Sequence, residues 1–125
     1  HGVEARVALR LGNLFEPLGP DAVFDLIISN PPYVLESEYS SLMPEVRDYE
    51  PQIALVAGED GLAVLRPLIS EAHLHLKSGG LLVFEIGEQQ AADARRLVTD
   101  CGMYDLLDTI MDYNDKCRGI VARKR

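Results

Sequence analysis

Two spacings of apolar residues alternate along the chain, and together they predict an α/β fold. Residues 24–29 and 81–86 form nearly continuous apolar runs, which are typical of strands buried on both faces of a parallel sheet. Residues 62–76 and 87–101 instead carry apolar side chains three or four positions apart. This spacing places those side chains on one face of a helix, so each predicted strand is followed by an amphipathic helix.

Small residues and turn formers mark the ends of these helices. Asp60 is a candidate cap at the start of the first helix, and the Ser-Gly-Gly sequence at 78–80 is expected to end it. Pro67 lies inside this helix, where proline removes a hydrogen bond, so we predict a kink or a helix in two pieces. Gly102 is a stop signal for the second helix.

The last part of the chain has the pattern of a β-hairpin. Residues 104–111 and 119–123 are predicted strands, and the Asn-Asp-Lys sequence at 114–116 is the turn between them. A further short strand is predicted at 7–11. This order of elements predicts the second half of a doubly wound α/β sheet, mostly parallel, with an antiparallel C-terminal hairpin at its edge.

Composition narrows the class of protein without changing the predicted fold. The 125 residues suffice for one domain, and 47% hydrophobic and 26% charged residues are usual for a globular protein. No apolar run has the length of a membrane span and no secretory signal is recognised, so we expect a cytoplasmic protein with no membrane partner. The net charge of −8 argues mildly against direct nucleic-acid binding.

The spacing of cysteine and histidine predicts neither a disulfide nor a metal site. Cys101 and Cys117 have no C-x-x-C spacing, and we expect reduced thiols that are buried or half-buried. His73 and His75 are two residues apart on a predicted helix and therefore lie on different faces. We expect no metal cofactor.

The sharpest chemical signal is Asn30-Pro31-Pro32-Tyr33, directly after the first apolar run. Ligands of open α/β sheets bind beyond the carboxyl ends of the strands, which is where this motif is expected. The prolines stiffen the backbone, and the Asn30 side-chain oxygen and the Pro31 carbonyl are two acceptors for one NH2 group beside the flat face of Tyr33. Such fixed acceptors raise electron density on an amide nitrogen, which is otherwise a poor nucleophile for methyl transfer.

The motif resembles that of amino-methyltransferases, which methylate adenine N6 or glutamine N5. Residues 34–58 are predicted to form a long irregular loop with one short helix near 38–43, and long loops of this kind are usually functional or disordered. The chain as a whole resembles the HemK/PrmC family of protein-(glutamine-N5) methyltransferases, which act on peptide chain release factors. Four further segments carry this resemblance in the family's order: Glu-Val-Arg-Asp-Tyr-Glu-Pro at 45–51, Ala-Leu at 54–55, Gly-Glu-Asp-Gly-Leu at 58–62 and Phe-Glu-Ile-Gly-Glu-Gln-Gln at 84–90.

The resemblance implies the fold and the chemistry of a Rossmann-like class I methyltransferase that uses S-adenosyl-L-methionine. The implied substrate is the glutamine of a Gly-Gly-Gln motif in a release factor. Asn30 and Pro31 are implied to hold the substrate amide, with Pro32 and Tyr33 completing the catalytic motif and Tyr33 forming part of the pocket wall.

The resemblance also implies residues that bind the methyl donor. Asn30 is expected to lie next to the donor as well as the substrate. Asn13 and Leu14 match positions that contact the adenine in relatives, although relatives often have an acid where this chain has Asn13. An asparagine oxygen can still accept a hydrogen bond from the adenine amino group, and the alternative is a simple turn residue.

Several parts of such an enzyme have no counterpart in this sequence. The glycine-rich donor loop, the acid that holds the ribose and the N-terminal helical domain are absent, so residues 1–125 are expected to be a partial methyltransferase catalytic domain. In the family, the strand at 7–11 would be separated from the strand at 24–29 by two others. We therefore expect it to be misplaced or to pair with another molecule, and we expect self-association through an exposed sheet edge.

The role of several charged or polar positions stays open at the level of sequence. Residues 49–51 shape a loop over the substrate in one interpretation, and residues 87–90 either line the site or only begin a helix. Ordinary solvation is the alternative for four charged residues of the resembling segments, Glu45, Arg47, Glu50 and Glu85.

Two other functions also stay open. An adenine-N6 nucleic-acid methyltransferase would apply the same Asn-Pro-Pro-Tyr chemistry to a flipped base, although the acidic charge argues against it. A catalytically inactive chain that only binds a partner or forms a dimer would explain the absence of the donor loop.

Overall fold

A computed structural model describes all residues from 1 to 125 and contains one four-stranded mixed sheet. The strands follow the order β1-β2-β4-β3 across the sheet. β1 pairs with β2 in parallel, whereas β4 pairs antiparallel with both β2 and β3. The α/β class and the antiparallel hairpin at the edge are therefore confirmed. The strands are β1 (Phe24–Ser29), β2 (Leu76–Glu85), β3 (Tyr104–Met111) and β4 (Cys117–Lys124).

The core lies between the sheet and two helices, α2 (Leu65–Ala72) and α3 (Ala91–Cys101). α3 ends at Gly102, which adopts a left-handed conformation with φ of 72°, as its stop signal predicted. Buried side chains of the sheet alternate along β2 and β4, as expected when one face of a sheet is covered. The largest core residues are Tyr104, Phe84, Ile69, Leu76, Leu82, Ile86, Ile120 and Val98.

Burial of β1 on both faces, which its apolar run predicted, is wrong for this chain. Ile28 is 71% exposed and Leu26 is 45% exposed. β1 is an edge strand with a single neighbour, and its outer edge forms no ladder. A strand of this composition becomes buried on both faces only when further strands and a second helical layer cover it.

The first predicted helix is shorter than its apolar spacing indicated, and Pro67 lies in its first turn instead of its interior. α2 begins at Leu65, so Pro67 is its third residue. N–H groups in the first turn have no acceptor within the helix, so proline costs no hydrogen bond there. Asp60 accepts a hydrogen bond from the backbone N–H of Leu62 (3.0 Å) but does not cap α2, which follows Val64. The helix ends at Ala72, before the predicted Ser-Gly-Gly stop.

The Ser-Gly-Gly sequence at 78–80 lies inside β2 instead of ending a helix. The register between β1 and β2 shifts at this point, from Phe24 opposite Leu76 to Leu26 opposite Leu81. Gly79 has a φ of 77°, a conformation that side chains disfavour. These glycines therefore form an irregularity within a strand, which explains why their turn chemistry misled the sequence-based prediction.

The predicted strand at 7–11 is wrong, because no strand precedes Phe24. Leu9 is 93% and Leu11 is 101% exposed. A strand needs a neighbouring backbone to complete its hydrogen bonds, and none lies beside this segment. The following turn is anchored instead by Phe15, whose ring stacks on His75 with centroids 5.0 Å apart.

The state of the two cysteines agrees with the sequence-based prediction. Cys101 and Cys117 are free, half-buried thiols, as predicted. None of the helices has the length and apolar character of a membrane span.

The Tyr104 hydroxyl donates a 2.8 Å hydrogen bond to the carbonyl of Ile69, near the end of α2, and we predict that Tyr104→Phe destabilises the fold. Tyr104 is only 2% exposed, so the substitution removes the stronger donor to this carbonyl and leaves it only the weak thiol donor of Cys101 at 3.8 Å. We expect the free energy of unfolding, measured by urea denaturation, to fall by about 1–2 kcal/mol. The control is Tyr113→Phe, at a fully exposed side chain, which should change stability by less than about 0.5 kcal/mol. Equal stability of both variants would contradict the role of the hydroxyl.

Candidate active site

The parallel pairing of β1 with β2 brings two segments of the resembling sequence to one end of the sheet. Ser29, the last residue of β1, pairs with Phe84, which lies next to the end of β2. The motif follows Ser29, and residues 85–90 follow Phe84. The two segments therefore begin side by side. This is the carboxyl end of the parallel strands, where ligands of open α/β sheets bind.

The four predicted catalytic residues, Asn30, Pro31, Pro32 and Tyr33, line one cavity of about 370 Å³. Pro31 is buried, Pro32 and Tyr33 are half-buried, and Asn30 is exposed. The Asn30 carboxamide has no hydrogen-bond partner within the protein, so its oxygen is free to accept a ligand's N–H group. The structure thus brings the motif together at a cavity, and the role of each residue stays a prediction.

The loop after the motif forms the remainder of this cavity's wall. It is not one irregular stretch with a single helix, as the sequence indicated, because it contains 3₁₀ turns at Glu36–Ser41 and Gln52–Ala54 and the short helix α1 (Pro44–Arg47). Val34 donates to the carbonyl of Leu55 and Ala57 donates to that of Val34, both at 2.9 Å. These bonds close the loop on itself. Its cavity-lining residues are Val34, Leu42, Val46, Glu50, Ala54 and Leu55.

Tyr33 connects the motif to the end of β2. Its hydroxyl donates to Oε1 of Glu85 over 3.4 Å, a long hydrogen bond. Burial raises the pKa of the Tyr33 phenol, and the nearby Glu85 carboxylate raises it further, because both disfavour the phenolate. The phenol therefore stays neutral and can act as a donor, and the aromatic ring forms a fixed wall of the cavity.

The charged residues whose role was open now separate into two groups. Glu50 lines the cavity and Glu85 contacts Tyr33. Arg47 pairs instead with its neighbour Asp48, with 2.7 Å between Nε and Oδ1, and this ion pair lowers the pKa of the Asp48 carboxyl. Glu45 is exposed. Glu45 is therefore a solvated surface residue, whereas Arg47 makes a structural contact with its neighbour.

Residues 87–90 line a second cavity of about 210 Å³, and Tyr33, Val34 and Leu42 line it too. The Tyr33 side of the motif therefore faces two neighbouring cavities. Glu88, in the wall of the second one, forms ion pairs with Lys116 and Arg118 of the hairpin. The hairpin is thereby connected to the same end of the sheet.

Gln90 has a position that the sequence did not reveal. It is the one buried polar side chain other than tyrosine, with 8% exposure. Its amide contacts the backbone of Gly61, Tyr33 and Gly87. The sequence carried no signal for it, because a glutamine at a helix start normally faces solvent.

The predicted donor-binding residues Asn13 and Leu14 do not line the motif cavity. They lie in a tight turn, since a Cβ at Gly12 would be 2.7 Å from Cδ of Pro17. Leu14 packs against the core and borders an apolar cavity of about 680 Å³. This cavity follows β1 as far as Ile28, two residues before Asn30. Asn13 is exposed and is not among the residues that line this cavity, and the adenine contacts of Asn13 and Leu14 stay a prediction.

Comparison with known proteins relates the chain to curated release factor glutamine methyltransferases. It is 44% identical over 112 residues to that of Fusobacterium nucleatum and covers 31% of its length. It is 40% identical over 121 residues to that of Clostridium acetobutylicum and 47% identical over 123 residues to that of Geobacter sulfurreducens, and it covers 42% of each. The matches cover 90%, 96% and 98% of this chain, respectively. The chain thus spans less than half the length of these relatives.

No protein-family model matches the chain. Among solved structures, it resembles a Thermus thermophilus protein provisionally described as a DNA modification methylase, with a TM-score of 0.58 and 20% sequence identity. The superposition covers 92% of this chain and 52% of the other. At this identity the likeness concerns the fold alone.

Sequence identity, in contrast, extends over almost all of this chain in each of the three relatives. The fold agrees with the methyltransferase architecture that the sequence predicted. Over almost its whole length, the chain is therefore similar to part of the curated release factor glutamine methyltransferases.

Proposed function

We propose that the protein carrying this chain transfers a methyl group from S-adenosyl-L-methionine to the side-chain amide nitrogen of a glutamine in a peptide chain release factor, within its Gly-Gly-Gln motif. The observation that carries the proposal is the cavity at the end of β1. All four residues of Asn30-Pro31-Pro32-Tyr33 line it, and the Asn30 carboxamide is left without a partner. The descriptions of the relatives support the substrate class.

Asn30 and Pro31 meet the chemical requirement of an amide acceptor. An amide nitrogen is a weak nucleophile because its lone pair is delocalised into the carbonyl group. The Asn30 side-chain oxygen and the Pro31 carbonyl each accept one hydrogen of the substrate NH2 group. They increase electron density on nitrogen and favour its tetrahedral shape as the new N–C bond forms. The nitrogen then releases one proton to solvent, so no strong base is required.

Pro32, Tyr33 and Glu85 restrict the geometry. Pro32 fixes its own φ and so limits the directions that the motif can take. The ring of Tyr33 bounds the cavity, and its hydroxyl is held by Glu85. A substrate side chain bound against this wall presents its nitrogen in one orientation, which converts a bimolecular encounter into a positioned reaction.

The methyl donor would be held on the side of the motif that faces β1. Asn13, Leu14 and Asn30 are the residues of this chain that would contact it, with Asn13 and Leu14 at the adenine. When bound, S-adenosyl-L-methionine would supply an electrophilic methyl group, and its sulfur would keep the electron pair of the S–C bond that breaks. The contribution of this chain is to present the acceptor nitrogen from the opposite side and to exclude water from the cavity.

We predict that Asn30→Ala, made in the complete gene product, lowers kcat about 100-fold, because one of the two preorganised acceptors is lost. The measurement is transfer of a labelled methyl group from S-adenosyl-L-methionine to a purified release factor. Asn114→Ala, in the exposed turn of the hairpin, is the matched control and should leave kcat unchanged. Near-normal turnover of Asn30→Ala would refute its role. Transfer to an adenine-containing oligonucleotide but not to the release factor would refute the proposed substrate.

The position of the acceptor nitrogen gives a second prediction. Replacing the glutamine of the release factor by asparagine shortens the side chain by one methylene group and withdraws its nitrogen from the two acceptors. We expect transfer to slow about 100-fold or more, because a displacement of about 1 Å is enough for such a loss. The same assay applies. Equal rates on both substrates would show that the amide is not held in a fixed place.

A further inference from the structure

The Gln90 carboxamide joins three separate segments at the active-site end of the sheet. Its Nε2 donates to the carbonyl of Gly61 at 2.9 Å and, over a longer 3.4 Å, to the carbonyl of Tyr33. Its Oε1 accepts from the backbone N–H of Gly87 at 2.9 Å. The three partners belong to the motif, to the loop before α2 and to the end of β2. One side chain therefore fixes the mutual position of all three.

The hydrogen-bonding groups determine which way this amide points. The carbonyls of Gly61 and Tyr33 can only accept, whereas the N–H of Gly87 can only donate. Only a glutamine with its NH2 group toward the motif satisfies all three. A glutamate would place an acceptor against two carbonyl oxygens, and a methionine would fill the space without any hydrogen bond.

Two glycines show how closely the backbone surrounds this amide. A Cβ at Gly61, whose φ is +70°, would lie 2.5 Å from Nε2 of Gln90 and 2.6 Å from the carbonyl oxygen of Tyr33. A Cβ at Gly87 would lie 3.2 Å from Oε1 of Gln90 and 3.3 Å from Cδ2 of Tyr33. No side chain fits between Gln90 and the motif at Gly61, so the contact is direct and packed.

The carbonyl that Gln90 holds is at the far end of the catalytic motif. The near end is fixed by the pairing of Ser29 with Phe84 in the sheet. Between the two ends lie Asn30 and two prolines, whose rings remove most of the backbone freedom. A short, stiff segment held at both ends keeps its carbonyl and side-chain acceptors in fixed directions, which is the preorganisation that methyl transfer to an amide requires.

We infer that Gln90 is a positioning residue that fixes the Asn30–Tyr33 segment through the Tyr33 carbonyl and so determines turnover without touching substrate. This inference rests on the proposed function. We therefore expect substitution of Gln90 to change kcat more than KM, because Gln90 holds the acceptor oxygens and not the surface that binds the substrate. A merely structural glutamine would instead change stability and leave the kinetics of the folded protein unaltered.

The first test compares Gln90→Met with Gln52→Met, the same exchange at an exposed glutamine that makes no side-chain hydrogen bond. In the complete gene product we expect Gln90→Met to lower kcat about 30- to 100-fold, with KM for the release factor changed less than about threefold and with Gln52→Met unchanged. Circular dichroism and thermal unfolding verify that both variants are folded. A folded Gln90→Met protein with the kcat of the unaltered enzyme would overturn the inference.

Gln90→Glu adds a pH readout. A buried carboxylate facing two carbonyls has a raised pKa, and its protonated form regains one donor. Its kcat, relative to that of Gln90→Met at the same pH, should rise as the pH falls from about 8 to about 6. Parallel pH profiles of the two variants would count against a donor role. If Gln90→Met does not fold, Gly87→Ala displaces the same amide by only a few tenths of an ångström and should lower kcat about three- to tenfold.

Hydrogen exchange separates failure of this inference from failure of the proposed function. The Val34 N–H follows the motif directly and donates to Leu55. In Gln90→Met its exchange should accelerate about tenfold or more while amides of β2 and β4 keep their protection. Unchanged exchange of the Val34 N–H would overturn the positioning role of Gln90, whichever substrate the enzyme methylates. Accelerated exchange in a protein that methylates no release factor would instead retain the role of Gln90 and reject the substrate.

Discussion

The candidate active site depends on the parallel ladder between β1 and β2, because β2 is the only strand with which β1 pairs. The ladder runs from Leu26 opposite Leu81 to Ser29 opposite Phe84. It places the residue after β1 next to the end of β2, and everything that follows is arranged around that junction. The motif, the second cavity and the start of α3 would not meet if this one pairing were lost.

The junction is held by a buried amide more than by surface charge. Eight ion pairs are present, but each has at least one partner with a substantially exposed side chain. Exposed pairs contribute about 0–1 kcal/mol each. Leaving a buried polar group without its partner costs about 1–3 kcal/mol. Gln90 satisfies several such groups at once, so the local geometry responds more to this residue than to the pairs of Glu88 with the hairpin.

In the proposed function, an acidic chain binds a neutral amide group. The cavity at the motif offers oxygen acceptors and an aromatic wall, and Glu50 is the one ionised side chain that lines it, because Asn30, Pro31 and Tyr33 are uncharged at neutral pH. Glu85 is occupied by the Tyr33 hydroxyl. An amide NH2 group needs acceptors but no counter-charge, so selectivity for it can come from position and from exclusion of water. In this proposal the net charge of the chain affects its surface and its choice of partners much more than it affects methyl transfer.

Local patterns in the sequence determined the elements that depend on near neighbours. The apolar run of β1, the spacing of α3, the stop at Gly102 and the hairpin all follow from contacts within a few residues, and the Asn-Pro-Pro-Tyr motif was recognised by its place after a strand. Tertiary structure decided what depends on distant partners. Residues 7–11 formed no strand because no backbone pairs with them. The Ser-Gly-Gly sequence at 78–80 became part of β2 because Leu76 and Leu81, on either side of it, pair with β1. The position of Gln90 could not be predicted, since two of its three hydrogen-bond partners are 29 and 57 residues away. The third, the N–H of Gly87, does not by itself distinguish it from a solvated glutamine. Hydrogen bonds between segments far apart in sequence leave no periodic signal, and such bonds complete this site.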